Sequence, residues 1–586
     1  MGSKSDLVLR PSSDPYYDLG KFSLNVSTQS SEAAAWFNRA LLWTYCFNHD
    51  EAIYCYKQAV GHDEDLAMAY WGLSFCSGPN YNKTWRLFDQ QDRIRAINDC
   101  YVYSQQALKK AGNATPWERA LIQALTSRYP DDNVHRDLAA CDRAYAEVMR
   151  DVWREFGQTD FDIITLFADA LMNVAPRKLF NTADGQPILS SPVLEVRELL
   201  ENALRMPGVE KHPGPAHMYI HLMEMSATPE KALPAAEMIR DQVPDTGHTY
   251  HMPAHIDVLV GDYRRAVEYN LKATTADDKF FQQNGCLTFY SYYRLHDYHS
   301  LIYAAMLGGM SKAALDATKR MEATITEQLL LIQTPALANW MEFFKSVHVH
   351  VYIRFGMWDE LKRLRPLENK HLYCVTNVMR HYGKAIAHAA TGEVNEADEE
   401  RELFKQAAKL VPPTRLDFPN RIIDILPVAL AMLDGEIEYR RGNYKVSFER
   451  LRDAISLEDD IPFAEPWGWM LPARHAHAAL SLEQGYVEQA ATAYAEDLGL
   501  IPTPKRSHQH PNNVWALHGY HECLVRLGRN AEANIIRQQL RLAAAQADIK
   551  ITSSCFCRVG TSPKENGNIN GCHGTQAGSS CHGKVA

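Results

Sequence analysis

The chain has 586 residues, of which 46% are hydrophobic and 10% aromatic. This is too much apolar material for an intrinsically disordered protein, so we expect most of the chain to fold. The 61 basic and 71 acidic residues give a formal net charge of -10. Basic residues form only short runs, so the composition argues against nucleic acid as a partner.

The sequence also argues against a membrane location. No stretch approaches the ~20 consecutive apolar residues that a membrane-spanning helix requires. The start, Met1 to Leu7, has no apolar signal segment behind it. Gly2 would suit myristoylation, but Asp6 stands where that motif requires Ser or Thr. We therefore expect a cytoplasmic protein with no membrane partner.

The twelve cysteines fall into two groups. Eight are scattered singly through apolar stretches, which is typical of reduced core cysteines in a cytosolic protein. The other four, Cys555, Cys557, Cys572 and Cys581, lie in a tail rich in Gly, Ser and Asn. This composition predicts a disordered tail, and binding of a soft metal or oxidation of these cysteines is the alternative.

A repeated pattern organises the helical part of the chain. It consists of an amphipathic helix, a Gly, four residues, a small residue and a second helix. A Gly allows the positive φ that a tight turn needs, and the small residue lets the two helices approach closely. Phe47 and Ala227 replace the Gly in two further units. The glycines of the pattern are Gly261, Gly309, Gly356, Gly392, Gly442, Gly485 and Gly528.

These glycines span 267 residues in six intervals, so each unit has the length of a helix-turn-helix pair. Between Asn80 and Pro213 the turn signal weakens, but helical periodicity still predicts helices over 93–110, 117–128 and 138–156. Residues 181–192 are predicted to form a loop. We divide the chain into an N-terminal extension (1–30), degenerate repeats (31–213), His-rich repeats (214–310), C-terminal repeats (311–548) and the tail (549–586).

The repeats resemble tetratricopeptide repeats with unusually long helices, and the resemblance extends from about Ala33 to Ala547. It implies an all-α, right-handed superhelix of helix-turn-helix pairs. In that family the first helix of each pair lines a concave groove and the second lies outside. Proteins of this family usually bind peptide segments or assemble complexes.

Histidines are concentrated in the central repeats. Eight of the 24 histidines lie within the 88 residues from His212 to His299. Counted back from the turn of each unit, seven of these histidines and Glu224 lie at offsets of 13, 10, 6 and 3 residues. Because these offsets differ by three or four, they form one stripe on the first helix of each pair. The stripe contains His217, His221, Glu224, His248, His251, His255, His296 and His299.

This stripe predicts a metal site in the groove. A His pair at i and i+4 places two neutral nitrogen ligands on one helix face, and His217/His221 and His251/His255 are two such pairs. Seven imidazoles exceed the needs of one structural zinc ion, so we expect two ions, or one ion with histidines to spare for proton transfer. The ligand count is comparable to that of a type-3 copper centre, by analogy only.

Nitrogen ligands favour copper over zinc or iron as the divalent metal, and Glu224 is a further ligand or a general base. Tyr303 occupies the offset of His221 and His255, so its phenol is a candidate catalytic group, with ordinary packing as the alternative. His350 has the same offset one repeat later and is assigned to the outer shell of the site. A metal-free groove for a peptide or anion, or a merely solvated polar surface, are the alternatives to metal binding.

The sequence has no phosphate-binding loop, no nucleophile elbow and no His-Glu-x-x-His motif, which argues against an NTPase or a serine hydrolase. We expect a copper-dependent oxidase or oxygenase that acts on a small organic molecule in the groove. The alternative is a non-catalytic scaffold that binds a peptide or a partner protein there. A third hypothesis is metal handling, in which the groove and the Cys555–Cys557 segment exchange copper.

Overall fold

A computed structural model describes residues 8–558 of the chain. Over this range the chain is an all-α array of tetratricopeptide-like helix-turn-helix pairs, as the sequence predicts. None of the described helices is both long and apolar enough to span a membrane. The predictions for residues 559–586, including Cys572 and Cys581, and for Gly2 and Asp6 lie outside the described residues.

The N-terminal part contains eight α-helices. The three predicted helices of the degenerate region are present as α4, α5 and α6, and the predicted loop at 181–192 is non-helical. The helices are α1 (Ser31–Tyr45), α2 (His49–His62), α3 (Ala67–Ser77), α4 (Gln90–Lys110), α5 (Pro116–Arg128), α6 (Leu138–Phe156), α7 (Phe161–Val174) and α8 (Val193–Ala203).

The central part carries the histidine stripe on three helices that pack side by side, α9, α11 and α13. The second helices of the units alternate with them. The central helices are α9 (Pro213–Met223), α10 (Leu233–Ile239), α11 (Gly247–Val260), α12 (Tyr263–Asn284), α13 (Ser291–Leu307) and α14 (Ser311–Thr324).

The C-terminal part continues the array and contains a single small hairpin, in which β1 (Leu416–Asp417) pairs antiparallel with β2 (Asn420–Arg421). Its helices are α15 (Glu327–Leu330), α16 (Ala338–Met341), α17 (Val347–Arg354), α18 (Trp358–Lys362), α19 (Cys374–Ala390), α20 (Val394–Ala408), α21 (Ile422–Arg440), α22 (Tyr444–Asp460), α23 (Ala473–Glu483), α24 (Val487–Asp497), α25 (Val514–Arg526) and α26 (Asn530–Ala544). Short 3-10 turns occur at Trp85–Leu87, Ala111–Asn113, Val209–Lys211, Pro229–Ala232, Glu342–Ser346 and Arg506–His508.

The turn between α11 and α12 shows why the repeat needs glycine. All seven glycines of the pattern have positive φ, between 64° and 85°. At Gly261 a Cβ atom would also lie 2.3 Å from the carbonyl oxygen of Pro511, so a larger residue would clash as well as be strained. Asp262 then caps α12 by accepting a hydrogen bond from the backbone N–H of Arg265 at 3.1 Å.

The concave side of the array is filled by the chain itself. Residues 461–472 join α22 to α23 without helical structure and run through the interior, where Trp467, Trp469 and Met470 are buried. Trp467 stacks on Tyr303 of α13 with a ring-centroid distance of 5.1 Å. We call residues 461–472 the interior segment. Binding of a peptide or a partner protein by the array stays a prediction.

Both predicted peripheral regions are packed where the structure describes them. In the N-terminal extension, the carbonyl oxygen of Arg10 accepts a hydrogen bond from Nε1 of Trp36 at 2.9 Å. Residues 549–558, which the sequence analysis assigned to the disordered tail, lie against the C-terminal helices. Arg354 donates to the carbonyl oxygen of Ser554 at 3.0 Å, and Cys557 is 1% exposed. The structure joins Cys557 to Cys555 in a disulfide, and the eight scattered cysteines are free.

Candidate metal centre

The first group of converging ligands combines α9 with the start of α11. His217 and His221 lie one turn apart on α9, and His248 lies in the first turn of α11. One ring nitrogen from each lies within 4.8 Å of the others, and all three side chains are buried. Nε2 of His217 is 3.0 Å from Nε2 of His248. We call these residues the first His group.

The second His group combines α11 with α13. It consists of His251, His255 and His296, whose ligand nitrogens also lie within 4.8 Å of one another. Nε2 of His251 is 2.6 Å from Nε2 of His255. His251 and His255 are buried, whereas His296 is partly exposed, with its ring centroid 4.6 Å from that of His251.

Hydrogen bonds to Nδ1 indicate which ring nitrogens are free to bind a metal. Nδ1 of His217 lies 2.8 Å from the carbonyl oxygen of Tyr45, which can only accept, so we assign the proton of a neutral ring to Nδ1. Nδ1 of His251 lies 2.8 Å from Oδ1 of Asn270. The amide group of Asn270 donates to Ala266, which fixes Oδ1 as the acceptor. In both rings Nε2 therefore carries a lone pair.

The same reasoning applies to His255, whose Nδ1 hydrogen-bonds Oε2 of Glu224. When both rings are neutral, the Nε2 atoms of His251 and His255 present lone pairs to each other at 2.6 Å. Two lone pairs at this distance repel each other. A proton held by one ring relieves this repulsion at the observed distance. A metal ion bound by both nitrogens at about 2.0–2.1 Å would also relieve it, with the two nitrogens slightly farther apart.

Burial keeps most of these imidazoles neutral, which is the form that binds metals. It lowers the pKa of His217 to about 4. It also lowers the pKa of His221, His248, His251 and His296 far below the ordinary value, and neighbouring histidines add to this effect. His255 differs, because the carboxylate of Glu224 outweighs the burial and leaves its pKa raised.

Two buried nitrogens of the first His group make no hydrogen bond among the described residues. These atoms are Nε2 of His221 and Nδ1 of His248. A buried polar atom without a partner costs about 1–3 kcal/mol, so such atoms call for an explanation. A metal ion bound by one or both nitrogens would supply it.

Glu224 follows α9 directly and joins the two groups. Its Oε1 lies 3.5 Å from Nδ1 of His221, and its Oε2 is hydrogen-bonded to Nδ1 of His255. A carboxylate that holds Nδ1 orients the ring and leaves Nε2 to the metal, an arrangement common around metal-bound histidines. Its oxygens also lie within 4.8 Å of nitrogens of both rings, so direct ligation remains the second option.

Tyr303 lies beside the second His group. It lines a cavity of ≈ 20 Å³, together with Glu224, His255 and Trp467. This volume suits about one water molecule, which is too small for an organic substrate. The phenol is buried and its hydroxyl has no hydrogen-bond partner in the described part of the chain. The ring of Tyr303 therefore packs in the interior, and its hydroxyl is available to a molecule in this cavity. Its catalytic role stays a prediction.

Two predicted residues are not part of either group. Nε2 of His299 lies 3.1 Å from Sδ of Met470, and its ring packs on Phe343 and Phe344. His350 packs edge-on against Trp469 at 4.8 Å. Both residues face the interior segment, whose path the helical periodicity does not encode. The structure thus places His299, a predicted ligand, outside the two converging groups, and His350, predicted for the outer shell, lies outside them as well.

Several neighbours of the site were not identified from the sequence. Asn270 holds His251, and Oδ1 of Asp297 lies 3.4 Å from Nδ1 of the same ring. Phe47 stacks on His221 with a ring-centroid distance of 5.6 Å. The only sequence signal was that Phe47 replaces a turn glycine, which marked the position as unusual without indicating what the ring contacts.

Comparison with known proteins gives limited information. No protein-family model matches the chain, and no curated protein matches it. The crystal structure of the APC/C hetero-tetramer Cut9-Hcn1 is 12% identical and aligns over 81% of this chain and 74% of that chain, with a TM-score of 0.28. The structure of Naa15/Naa10 bound to HypK-THB is 15% identical over 88% and 71%, with a TM-score of 0.21. TM-scores this low support no argument about function, so the functional argument depends on the site.

Proposed function

We propose that this protein binds two metal ions, one in each His group. The convergence of three histidine nitrogens within 4.8 Å of one another in each group carries the proposal. The two unpartnered nitrogens of the first group support it independently. Glu224 contacts one histidine of each group, so its negative charge would stabilise both ions.

Copper is the metal we favour over zinc or iron. Six imidazoles, with Glu224 as the one carboxylate among their converging ligand atoms in the described residues, make a nitrogen-rich ligand set, and the Irving–Williams order places copper first for nitrogen ligands. A pair of copper ions supplies redox chemistry, so we assign the protein an oxidase or oxygenase activity on a small organic molecule. Tyr303 would donate a hydrogen bond to a water-sized ligand in the adjoining cavity.

Elemental analysis tests this proposal. Purified protein is reconstituted with copper, zinc or iron in turn, desalted and analysed for metal per chain. We expect two ions per chain in the wild type and one in each double variant, His221→Ala/His248→Ala and His251→Ala/His255→Ala. His299→Gln, at a buried histidine outside both groups, and His135→Ala, on the surface, should retain both ions.

A wild-type stoichiometry near zero with every metal would overturn the proposal. It would leave a proton shared between His251 and His255 as the explanation of their contact, since His255 has a raised pKa. Loss of metal in the His299 variant to the same extent as in the group variants would contradict the corrected ligand set. Circular dichroism of each variant confirms that it remains helical.

An exposed apolar surface on the last repeat favours a second function, that of a scaffold. Val525, Ile535 and Leu542 are 52%, 63% and 72% exposed on α25 and α26. The terminal units of repeat proteins normally present polar outer faces, so this surface suits a partner protein. A scaffold would lose its partner in Ile535→Glu/Leu542→Glu and keep it in His251→Ala, as measured by affinity purification from the native cells. A metalloenzyme would show the reverse pattern in turnover.

A further inference from the structure

A second and much larger cavity lies on the other side of the first His group. It has a volume of ≈ 550 Å³ and is formed by α2, α3, α4 and the segments before α13 and α16. This is the size range of pockets for small organic ligands, unlike the water-sized cavity at Tyr303. We call it the aromatic cleft, after Phe47, Phe88, Phe289, Tyr290 and Tyr293 in its walls.

The inner wall of the aromatic cleft is also a wall of the first His group. The ring centroid of Phe47 lies 4.7 Å from that of His217 and 5.3 Å from that of His248. Tyr293 packs edge-on against His248 at 5.5 Å. A single layer of aromatic rings therefore separates the cleft from the proposed metal ligands.

The backbone at Phe47 indicates that this ring is placed there at a cost. Phe47 stands at the turn position that glycine occupies in seven other units, and it has a φ of 58°. A bulky side chain is strained in this left-handed region, where glycine is not. Contacts of the ring with His217, His221 and His248 must offset the strain. Together with Tyr293, the ring thus lies between the cleft and the first His group.

The charges in the cleft leave one exposed carboxylate, Asp50, without a direct ion-pair partner among the described residues. Asp92 is paired with Lys83 at 2.9 Å and with Arg95 at 2.6 Å. Asp50 lines the cleft and forms no hydrogen bond or ion pair within residues 8–558. It lies close enough to Tyr293 to raise the pKa of that phenol further, in addition to the effect of burial.

The other charged groups of the cleft are Lys57 and Asp99, which have opposite signs. Lys57 lies two turns farther along α2 than Asp50, and both residues are exposed. The cleft as a whole is therefore balanced in charge, and near Tyr293 its wall combines aromatic rings with the carboxylate of Asp50, which has no direct ion pair in the described residues. This combination suits a ligand with an aromatic ring and a positively charged group.

We propose that the aromatic cleft binds the organic substrate of the first His group, and that this substrate is an aromatic amine. The ammonium group pairs with Asp50, the ring packs among Phe289, Tyr290 and Tyr293, and Phe47 controls passage to the histidines. The role as substrate rests on the proposed metal function. Binding of the amine by the cleft does not.

Calorimetric titration of the full chain tests the binding step. The probes are 2-phenylethylammonium, 2-phenylethanol and 3-phenylpropionate, which share a phenyl ring and differ in charge. We expect the ammonium probe to bind at least tenfold more tightly than the carboxylate probe. Asp50→Asn should abolish this preference, whereas Glu64→Gln, which removes an exposed carboxylate outside the cleft, should preserve it.

Equal affinities for the three probes, no binding of any probe, or an unchanged preference in Asp50→Asn would overturn the proposal. Metal content is measured on the same samples. Probe binding by protein that takes up no metal would refute the metal function and leave the cleft as a binding site. Metal uptake without probe binding would refute the cleft and leave the metal function.

Removal of the ring of Phe47 tests its role as a barrier. Phe47→Gly relieves the backbone strain and opens the inner wall, so 2,2′-bipyridine should remove metal at least tenfold faster than from the wild type. Saturating 2-phenylethylammonium should slow this removal. Phe47→Leu, which keeps an apolar side chain, should behave as the wild type. If Phe47→Gly remains helical and loses its metal at the wild-type rate, Phe47 is not a barrier.

Discussion

Asn270 accepts a hydrogen bond from Nδ1 of His251 at 2.8 Å, while its own amide group donates to the carbonyl oxygen of Ala266 at 2.9 Å. The outer helix α12 thus fixes both the orientation of Asn270 and the tautomer of His251. Such supporting residues determine whether a ring nitrogen is available to a metal.

Asn270→Leu should therefore weaken metal binding in the second His group. We expect a loss of about 10- to 100-fold in affinity, the usual effect of removing a residue that orients a ligand. Competition with a chelator measures the affinity of each ion. Asn98→Leu, on the exposed face of α4, is the matched control and should leave both affinities unchanged.

Glu224→Gln should weaken the binding of both ions, because Glu224 contacts one ring of each group. Glutamine has nearly the same size as glutamate but lacks the negative charge that stabilises nearby cations. Chelator competition should show a lower affinity for both ions, whereas Asn270→Leu should lower the affinity for only one. A loss confined to a single ion would mean that Glu224 serves only one group.

Arg177 and Glu465 connect the chain after α7 to the interior segment through two hydrogen bonds of 2.7 Å. Removing one partner of a largely buried ion pair leaves an uncompensated charge, so Arg177→Met should destabilise the protein by about 3 kcal/mol. The double variant Arg177→Met/Glu465→Leu should recover much of this loss. Thermal unfolding measures the stability, and faster hydrogen exchange in residues 461–472 would locate the effect.

Each buried, neutral histidine should lower the stability as the pH falls from about 6.5 towards 4, whereas buried carboxylates of raised pKa, such as Glu458, act in the opposite direction. Burial lowers the pKa of His49 and His508 to about 4 and that of His350 to about 3, from an ordinary value of 6.5. These rings stay neutral in the folded state, whereas the unfolded chain takes up protons below 6.5. Each group therefore costs about 1.4 kcal/mol per pH unit over the interval between its two pKa values.

Thermal melts between pH 7.5 and 4.5 measure this dependence. His350→Leu should give a shallower decline, since one group that titrates only in the unfolded chain is removed. His135→Leu, at an exposed position, should leave the slope unchanged. Equal slopes in the wild type and His350→Leu would contradict the expectation.

Truncation after Thr552 should lower the melting temperature without changing the metal content. It removes the carbonyl groups of Ser554 and Cys557, which accept hydrogen bonds from Arg354 and Arg440. The His groups make no contact with residues 553–558 that the structure shows. Loss of metal on truncation would instead support the exchange of copper between the tail and the central site.

The amino-acid sequence by itself determined the local structure. Period and turn chemistry identified the helical pairs, and the seven pattern glycines have the left-handed conformation expected of them. Spacing by three and four also placed the histidines of α9, α11 and α13 on one face of each helix. These features depend on residues close together in the chain, where helix geometry fixes which side chains share a face.

The tertiary structure decided which of these histidines converge and in which of the two groups each one lies. His299 has the correct offset but lies against Met470, and the ligands divide into two groups joined by Glu224. The interior segment that fills the concave side has no helical period, so its path could not be predicted. Asn270 and Phe47 reach the site from other helices and turns. Long-range packing sets such contacts, and no local pattern encodes them.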